Sequence, residues 1–206
     1  MLKYKVAERT DKGIRETNQD FSSVSTNKFG YLVAIVADGM GGHIGGQVAS
    51  KFAVKTVEAF FKTINFAELS EEQIQHQLLK SIKFLSKEFI KIAEINDNLI
   101  DMGTTLNVNI FIKNSIYTIN VGDSRAVQIN SKGYQQISED HNLAALAKVD
   151  KRFERFANDS NLLTSSLGPT KETKVDIFKT DISMNGYLII TTDGVHQYVT
   201  EDFFVK

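Results

Sequence analysis

Two kinds of apolar spacing divide the chain. From Gln47 to Lys62, Ala49, Ala53, Val57 and Phe60 recur at steps of four, four and three. From Ile74 the series Leu78, Ile82, Leu85, Phe89 and Ile92 continues in the same way. Each set falls on one helical face, so helices are expected over Gln47–Lys62 and from Ser70 to about Asn96. Ser70 and Gln73 stand at capping-box spacing, and Glu71 and Glu72 follow where negative charge favours the helix dipole. After Met102 the period changes to two: Leu106, Val108, Ile110 and Ile112 alternate with Asn107, Asn109 and Phe111. Further strands are expected at Ile116–Val121, Ala126–Asn130 and Tyr134–Ile137, separated by turns at Asn114-Ser115 and Lys132-Gly133, as an antiparallel meander. Tyr31–Ala37 and Tyr187–Thr192 are unbroken apolar runs that read as buried strands, and Lys174–Lys179 is another strand. Residues 1–7 alternate weakly and suggest a first strand. Gly13–Phe21 reads as a polar loop and Ser22–Phe29 as a turn-rich connection. Asp140–Ser160 is charged and irregular, with short helices at Leu143–Lys148 and Arg152–Ala157. Helices early and strands late indicate an α+β domain with antiparallel sheets.

Composition narrows the class. The chain has 206 residues, which fits one domain over 1–206 with a sizeable core. A net charge of −1 gives no reason to expect nucleic acid or an anionic membrane. The absence of cysteine excludes disulfides and thiolate metal sites, so any metal must sit on oxygen or nitrogen. The four His are scattered, without HxxxH or HxH spacing. The N-terminus has no apolar signal core, and no run approaches the roughly 20 residues of a membrane span. A cytoplasmic protein is expected.

The candidate chemistry lies where apolar strands meet acid. The stretch VADGMGGH, Val36–His43, puts Asp38 at the end of one strand, and YLIITTDGV repeats the design at Asp193. A carboxylate beside glycines, whose carbonyls can approach a ligand, suits a hard cation such as Mg²⁺ or Mn²⁺. A plain turn with a surface Asp reads equally well from this stretch alone. Asp123, in Gly122-Asp123-Ser124-Arg125, and Asp20 add two more carboxylates. If neighbouring strands carry them, they converge at one sheet edge, where like charges repel unless cations bind between them. A two-metal site that polarises phosphoryl oxygens and activates water is the economical explanation. Such a site needs an arginine to grip the phosphate, and Arg15 and Arg125 are the candidates.

These motifs in this order resemble the metal-dependent serine/threonine protein phosphatases of the PPM (PP2C) family, in their bacterial form. The matching segments are Gly13-Ile-Arg15-Glu-Thr-Asn18-Gln-Asp20, Asp38-Gly-Met-Gly-Gly-His43, Met102-Gly103-Thr104-Thr105, Gly122-Asp123-Ser124-Arg125, Asp140-His141-Asn142, Leu167-Gly168 and Thr192-Asp193-Gly194-Val195. The resemblance implies a four-layer αββα sandwich of two antiparallel sheets flanked by helices. It implies hydrolysis of phosphoserine and phosphothreonine in proteins by a water bridging two Mn²⁺ or Mg²⁺ ions, with a third, weaker ion in bacterial members. Asp38 would bridge the two ions, the Gly39 carbonyl would bind the second, and Asp193 the first. Asp20 would act through metal-bound water, Asp123 would help hold the third ion with Asp193, and Arg15 would hold the substrate phosphate. Residues 143–165 would form a flap that tunes substrate choice. Substrates would be phosphoproteins made by a serine/threonine kinase, and the protein a monomer.

Other members of this constellation carry humbler expectations. Gly103-Thr104-Thr105 is expected to pack a strand start, Arg125 to sit in an ion-pair network, and His141 to order the Asp140 loop. His76 and His196 read as surface or packing residues. His43 stands open between a proton donor and a residue that shapes the pocket, since Met40 occupies the place of a His found in eukaryotic members. Ser165 stands where many bacterial members have Arg. The family pattern also runs on past Thr-Asp-Gly to a helix, an Asp-Asn motif and a closing strand, whereas this sequence stops at Lys206. A lower affinity for the first ion and an exposed sheet edge are expected from that. An impaired or pseudo-phosphatase that binds phosphoprotein is therefore the alternative, and a hydrolase of small phosphoesters the third reading.

Overall fold

In the computed structural model of the protein, residues 4–41, 44–159, 162–183 and 185–205 are described. β1 (Asp20–Thr26) falls on a segment whose polarity reads as loop and turn. Its sequence, DFSSVST, hides a strand because it is an edge: only one side pairs, and serines and threonine tolerate half-exposure. β2 (Leu32–Met40) outruns its apolar stretch and carries Asp38 and Gly39 inside the strand, not beyond its exit. α1 (Gly45–Phe61) and α2 (Glu71–Ile95) follow. The Ser70 hydroxyl accepts from the Gln73 amide and the Gln73 side chain accepts from the Ser70 amide, so the expected capping box is formed. Residues 4–7 form no strand; the ring of Tyr4 meets that of Phe111 edge-on instead.

The later strands are β3 (Gly103–Thr104), β4 (Leu106–Ile112), β5 (Ser115–Val121), β6 (Arg125–Asn130), β7 (Gly133–Gln136), β8 (Asp176–Asp181) and β9 (Tyr187–Thr191). They do not make one meander. The first sheet runs β1-β2-β4-β5-β8, with β3 pairing the end of β2, and the second runs β7-β6-β9. The chain leaves the first sheet at Gly122-Asp123-Ser124, returns for β8 and crosses again for β9. Between the crossings lie α3 (Leu143–Val149) and a 3-10 turn at Lys151–Phe156. α4 (Asp193–His196) and α5 (Glu201–Val205) close the described chain.

Strand alternation sets the layers. Val33, Ile35 and Ala37 of β2 join the main core with Ala49, Ala53 and Val57 of α1 and Ile74, Leu78 and Leu85 of α2. Leu32, Ala34 and Val36 face the second sheet, where Gln128, Leu188 and Ile190 line the other wall of the space between sheets. On the outer side of the second sheet, Phe204 of α5 lies against Tyr134 of β7. The result is an α+β sandwich of two antiparallel sheets with flanking helices. The layer between the sheets is partly polar: Asn107 donates to Asn120, Asn109 to Asn107, and Thr118 to Asn109, all wholly buried. Each such group finds a partner, as burial in low dielectric demands. Among the described residues no helix is long and apolar enough to cross a membrane.

Candidate active site

Asp38 is held by its backbone. Its N–H donates to Thr105 Oγ1 (2.9 Å), and its carbonyl accepts from Thr104 Oγ1 (2.9 Å) and from the Thr105 N–H (2.9 Å). Gly103-Thr104-Thr105 thus has the packing role expected of it. Register places Asp20 opposite Asp38 across β1 and β2. Asp20 in turn accepts from Thr192 Oγ1 (2.8 Å), the residue before Asp193. That bond ties the first sheet to the end of β9 in the second. The carboxylates therefore converge across the gap between two sheets, not along one sheet edge. β2 and β9 are not neighbours in a ladder; they face each other, and each ends at the same rim.

Gly39 is required by space. Its N–H donates to the Gln19 carbonyl (3.1 Å), and a Cβ added there would lie 2.0 Å from the Gly46 carbonyl oxygen. Only glycine lets the start of α1 approach β2 so closely.

Electrostatics mark the same place. Burial first, then the charges of Asp20, Asp193 and Asp123, push the Asp38 carboxyl up to about 9. Asp20 and Asp193 are the two acids whose charges act most strongly on Asp38. Asp20 is raised by burial, which outweighs the Thr192 hydrogen bond and the charge of Arg15. Asp123 is pushed up to about 6 by burial, Asp193 and Asp140. Among the described residues no three His, Asp or Glu side chains form a ready-made metal cage. Burial and mutual charge disfavour ionising Asp20, Asp38 and Asp123 together. The donor set is all oxygen, which fits a hard divalent cation whose charge would offset that repulsion.

The remaining residues sort cleanly. Arg15 sits on an exposed turn, with its N–H on the Lys12 carbonyl, and its charge reaches Asp20. Arg125 makes a bidentate pair with Asp140 (Nε to Oδ1 3.0 Å, Nη2 to Oδ2 2.6 Å), which is the ion-pair role expected of it. His43 lies outside the described residues. His196 is half-buried, with Nδ1 3.1 Å from Thr191 Oγ1. The sequence motifs include Thr192 without giving it a role, and the structure supplies one, its hydrogen bond to Asp20. Thr192 directly precedes Asp193, and that adjacency was the available signal.

Comparison with known proteins agrees with this geometry. The family model described as Protein phosphatase 2C matches residues 12–206. The serine/threonine phosphatase stp of Listeria welshimeri is 35% identical over 198 residues, covering 94% of this chain and 78% of the relative. The crystal structure of the serine/threonine phosphatase Stp1 from Staphylococcus aureus superposes with a TM-score of 0.84 at 30% identity, over 96% of this chain and 79% of that one. The PstP catalytic domain, solved with two manganese ions, shares the fold at 21% identity with a TM-score of 0.75, over 95% of this chain and 80% of that one. With its family model matched almost throughout and its acids gathered at the rim between two sheets, the chain belongs to the protein phosphatase 2C family.

Proposed function

We propose that the protein hydrolyses phosphoserine and phosphothreonine in proteins at a binuclear divalent-metal centre, with residues 1–206 acting as one phosphatase domain in the cytoplasm. The observation that carries this is the convergence of Asp20, Asp38, Asp123 and Asp193 from both sheets, with Asp38 half-buried at the centre. Asp38 would hold both ions, Asp193 the first and the Gly39 carbonyl the second, with Asp20 in the outer shell and Asp123 beside a third, weaker ion. Bound there, Mn²⁺ or Mg²⁺ supplies Lewis-acid activation of the phosphoryl group and of water.

The chain supplies the rest. Thr104 and Thr105 fix the backbone of Asp38, so its carboxylate is aimed before any ligand arrives. Thr192 orients Asp20 by one hydrogen bond. Asp38 would have to be deprotonated to hold a cation, so metal binding should tighten as pH rises. Arg15, on its exposed turn, reaches the substrate phosphate with two parallel donors. His43 stands near enough in sequence to serve as proton donor. Residues 143–165, of which 160 and 161 lie outside the described residues, would form the flap over the substrate, a phosphoprotein made by a serine/threonine kinase, and the enzyme works as a monomer.

The impaired alternative draws no support from the relatives, which are named as phosphatases. A hydrolase of small phosphoesters is separated by one experiment: phosphate release from a phosphothreonine peptide and from para-nitrophenyl phosphate, each with Mn²⁺ and with EDTA. Metal-dependent release with the peptide preferred supports the reading. Release that persists in EDTA, or that is confined to the small ester, contradicts it.

A further inference from the structure

We infer that His141 is a positioning residue that fixes the Gly122-Asp123-Ser124 crossing through one tautomer of its ring; this rests on the phosphatase reading only for its metal arm. The expected role of His141 was to order its own loop. The structure gives it more: it is buried, 3% exposed, and its ring bridges the exit of β5 and the start of its neighbour β8. The Gly122 N–H donates to His141 Nδ1 (3.2 Å), and the His141 N–H donates back to the Gly122 carbonyl (3.0 Å). On the far side, His141 Nε2 lies 2.9 Å from Asp176 Oδ2 on β8, which also accepts from Lys174 Nζ (2.7 Å).

These partners leave one arrangement. Nδ1 must offer a lone pair, because an amide N–H points at it. Nε2 must carry the proton, because a carboxylate faces it. The crossing has no slack elsewhere. Gly122 holds φ +94°, and a Cβ there would lie 2.6 Å from the Thr105 methyl. Asn120 Nδ2 donates to the Gly122 carbonyl (3.0 Å). Ser124 Oγ is 2.7 Å from Thr105 Oγ1, the same atom that accepts from the Asp38 N–H. The His141 ring therefore ties β8 to the turn that bears Asp123, and Thr105 ties that turn to Asp38.

Two substitutions separate this from packing. Asn can set an amide oxygen where Nδ1 stands, whereas Gln reaches toward Asp176 and leaves the Gly122 N–H without its acceptor. Long-range proton–nitrogen spectra of the metal-free protein should show His141 protonated at Nε2 and bare at Nδ1. Hydrogen exchange at Gly122 should stay within about threefold of wild type in His141→Asn and quicken tenfold or more in His141→Gln. Calorimetric Mn²⁺ binding should weaken about tenfold in His141→Gln, the range for loss of an outer-shell partner, and recover in His141→Asn. A ring protonated at Nδ1, or equal Gly122 exchange in both variants with thermal melting as the only loss, would overturn the inference. Absence of Mn²⁺ binding by the wild type would instead overturn the metal reading, and the exchange data would still decide the role of His141.

Discussion

Asp38 lives in a conflict that its neighbours create. It sits half-buried beside three other acids, and its carboxyl is pushed up to about 9, so without metal the neutral form is favoured at neutral pH. Asp38→Asn keeps the shape but cannot ionise to hold a cation. It should abolish Mn²⁺-dependent turnover, by a factor of about 10³ or more, since the activating ions lose their shared ligand. The same variant, without metal, should melt no lower than wild type, because a neutral amide takes the place of a carboxyl that burial and its acidic neighbours already keep neutral. Phosphate release and thermal melting on one preparation check both halves. His196 makes the opposite kind of residue-scale prediction. Burial first, and then the charge of Arg125, lower it from 6.5 to about 4. Below pH 6.5 the unfolded chain takes up a proton that the folded chain refuses until about pH 4, so stability must fall as pH drops through that window. The loss should be on the order of 2 kcal/mol once residual solvent exposure is allowed for. Urea unfolding at pH 7.5 and pH 5 should show a smaller difference in His196→Gln than in wild type.

Among the elements, helices and fully apolar strands were legible because their burial is one-sided and periodic. α2 announced itself by its stripe and its capping box, and Ser70→Ala should cost about 1 kcal/mol in chemical unfolding while leaving turnover unchanged. β1 was not legible, since an edge strand with polar side chains has no apolar signature. The length of β2 was misjudged for a related reason. Its last residues are held by the two-residue strand β3 from a distant part of the chain, which no local window reveals. The contact between β2 and α1 gives a sharp test of that geometry. Gly39→Ala drives a methyl into the Gly46 carbonyl, backbone against backbone, so it should cost about 3 kcal/mol in urea unfolding. Ala at this position with stability unchanged would mean that the helix start does not sit where the structure puts it.

At the scale of the whole molecule, the site exists only because the chain changes sheets. The acids were readable one by one from their Asp-Gly and Gly-Asp settings, and their order carried the family. Their meeting place was not readable. Proximity in a ladder would have gathered them along one edge, whereas Asp38 and Asp193 come from facing sheets, joined by the bond from Thr192 to Asp20. The crossing at Gly122-Asp123-Ser124 looked like one more turn of a meander, because alternation tells which side chains share a face but not which sheet a strand joins. The assignment of Arg125 to Asp140 was legible as chemistry, an arginine needing a carboxylate, and the structure supplied the partner. The central claim is that one metal centre is built from both sheets with Asp38 at its middle. Crystals soaked in Mn²⁺ and measured at the manganese edge test it most directly. The account predicts anomalous peaks in ligand contact with both Asp38 and Asp193. Manganese bound only away from Asp38, or held by acids of a single sheet, would contradict it.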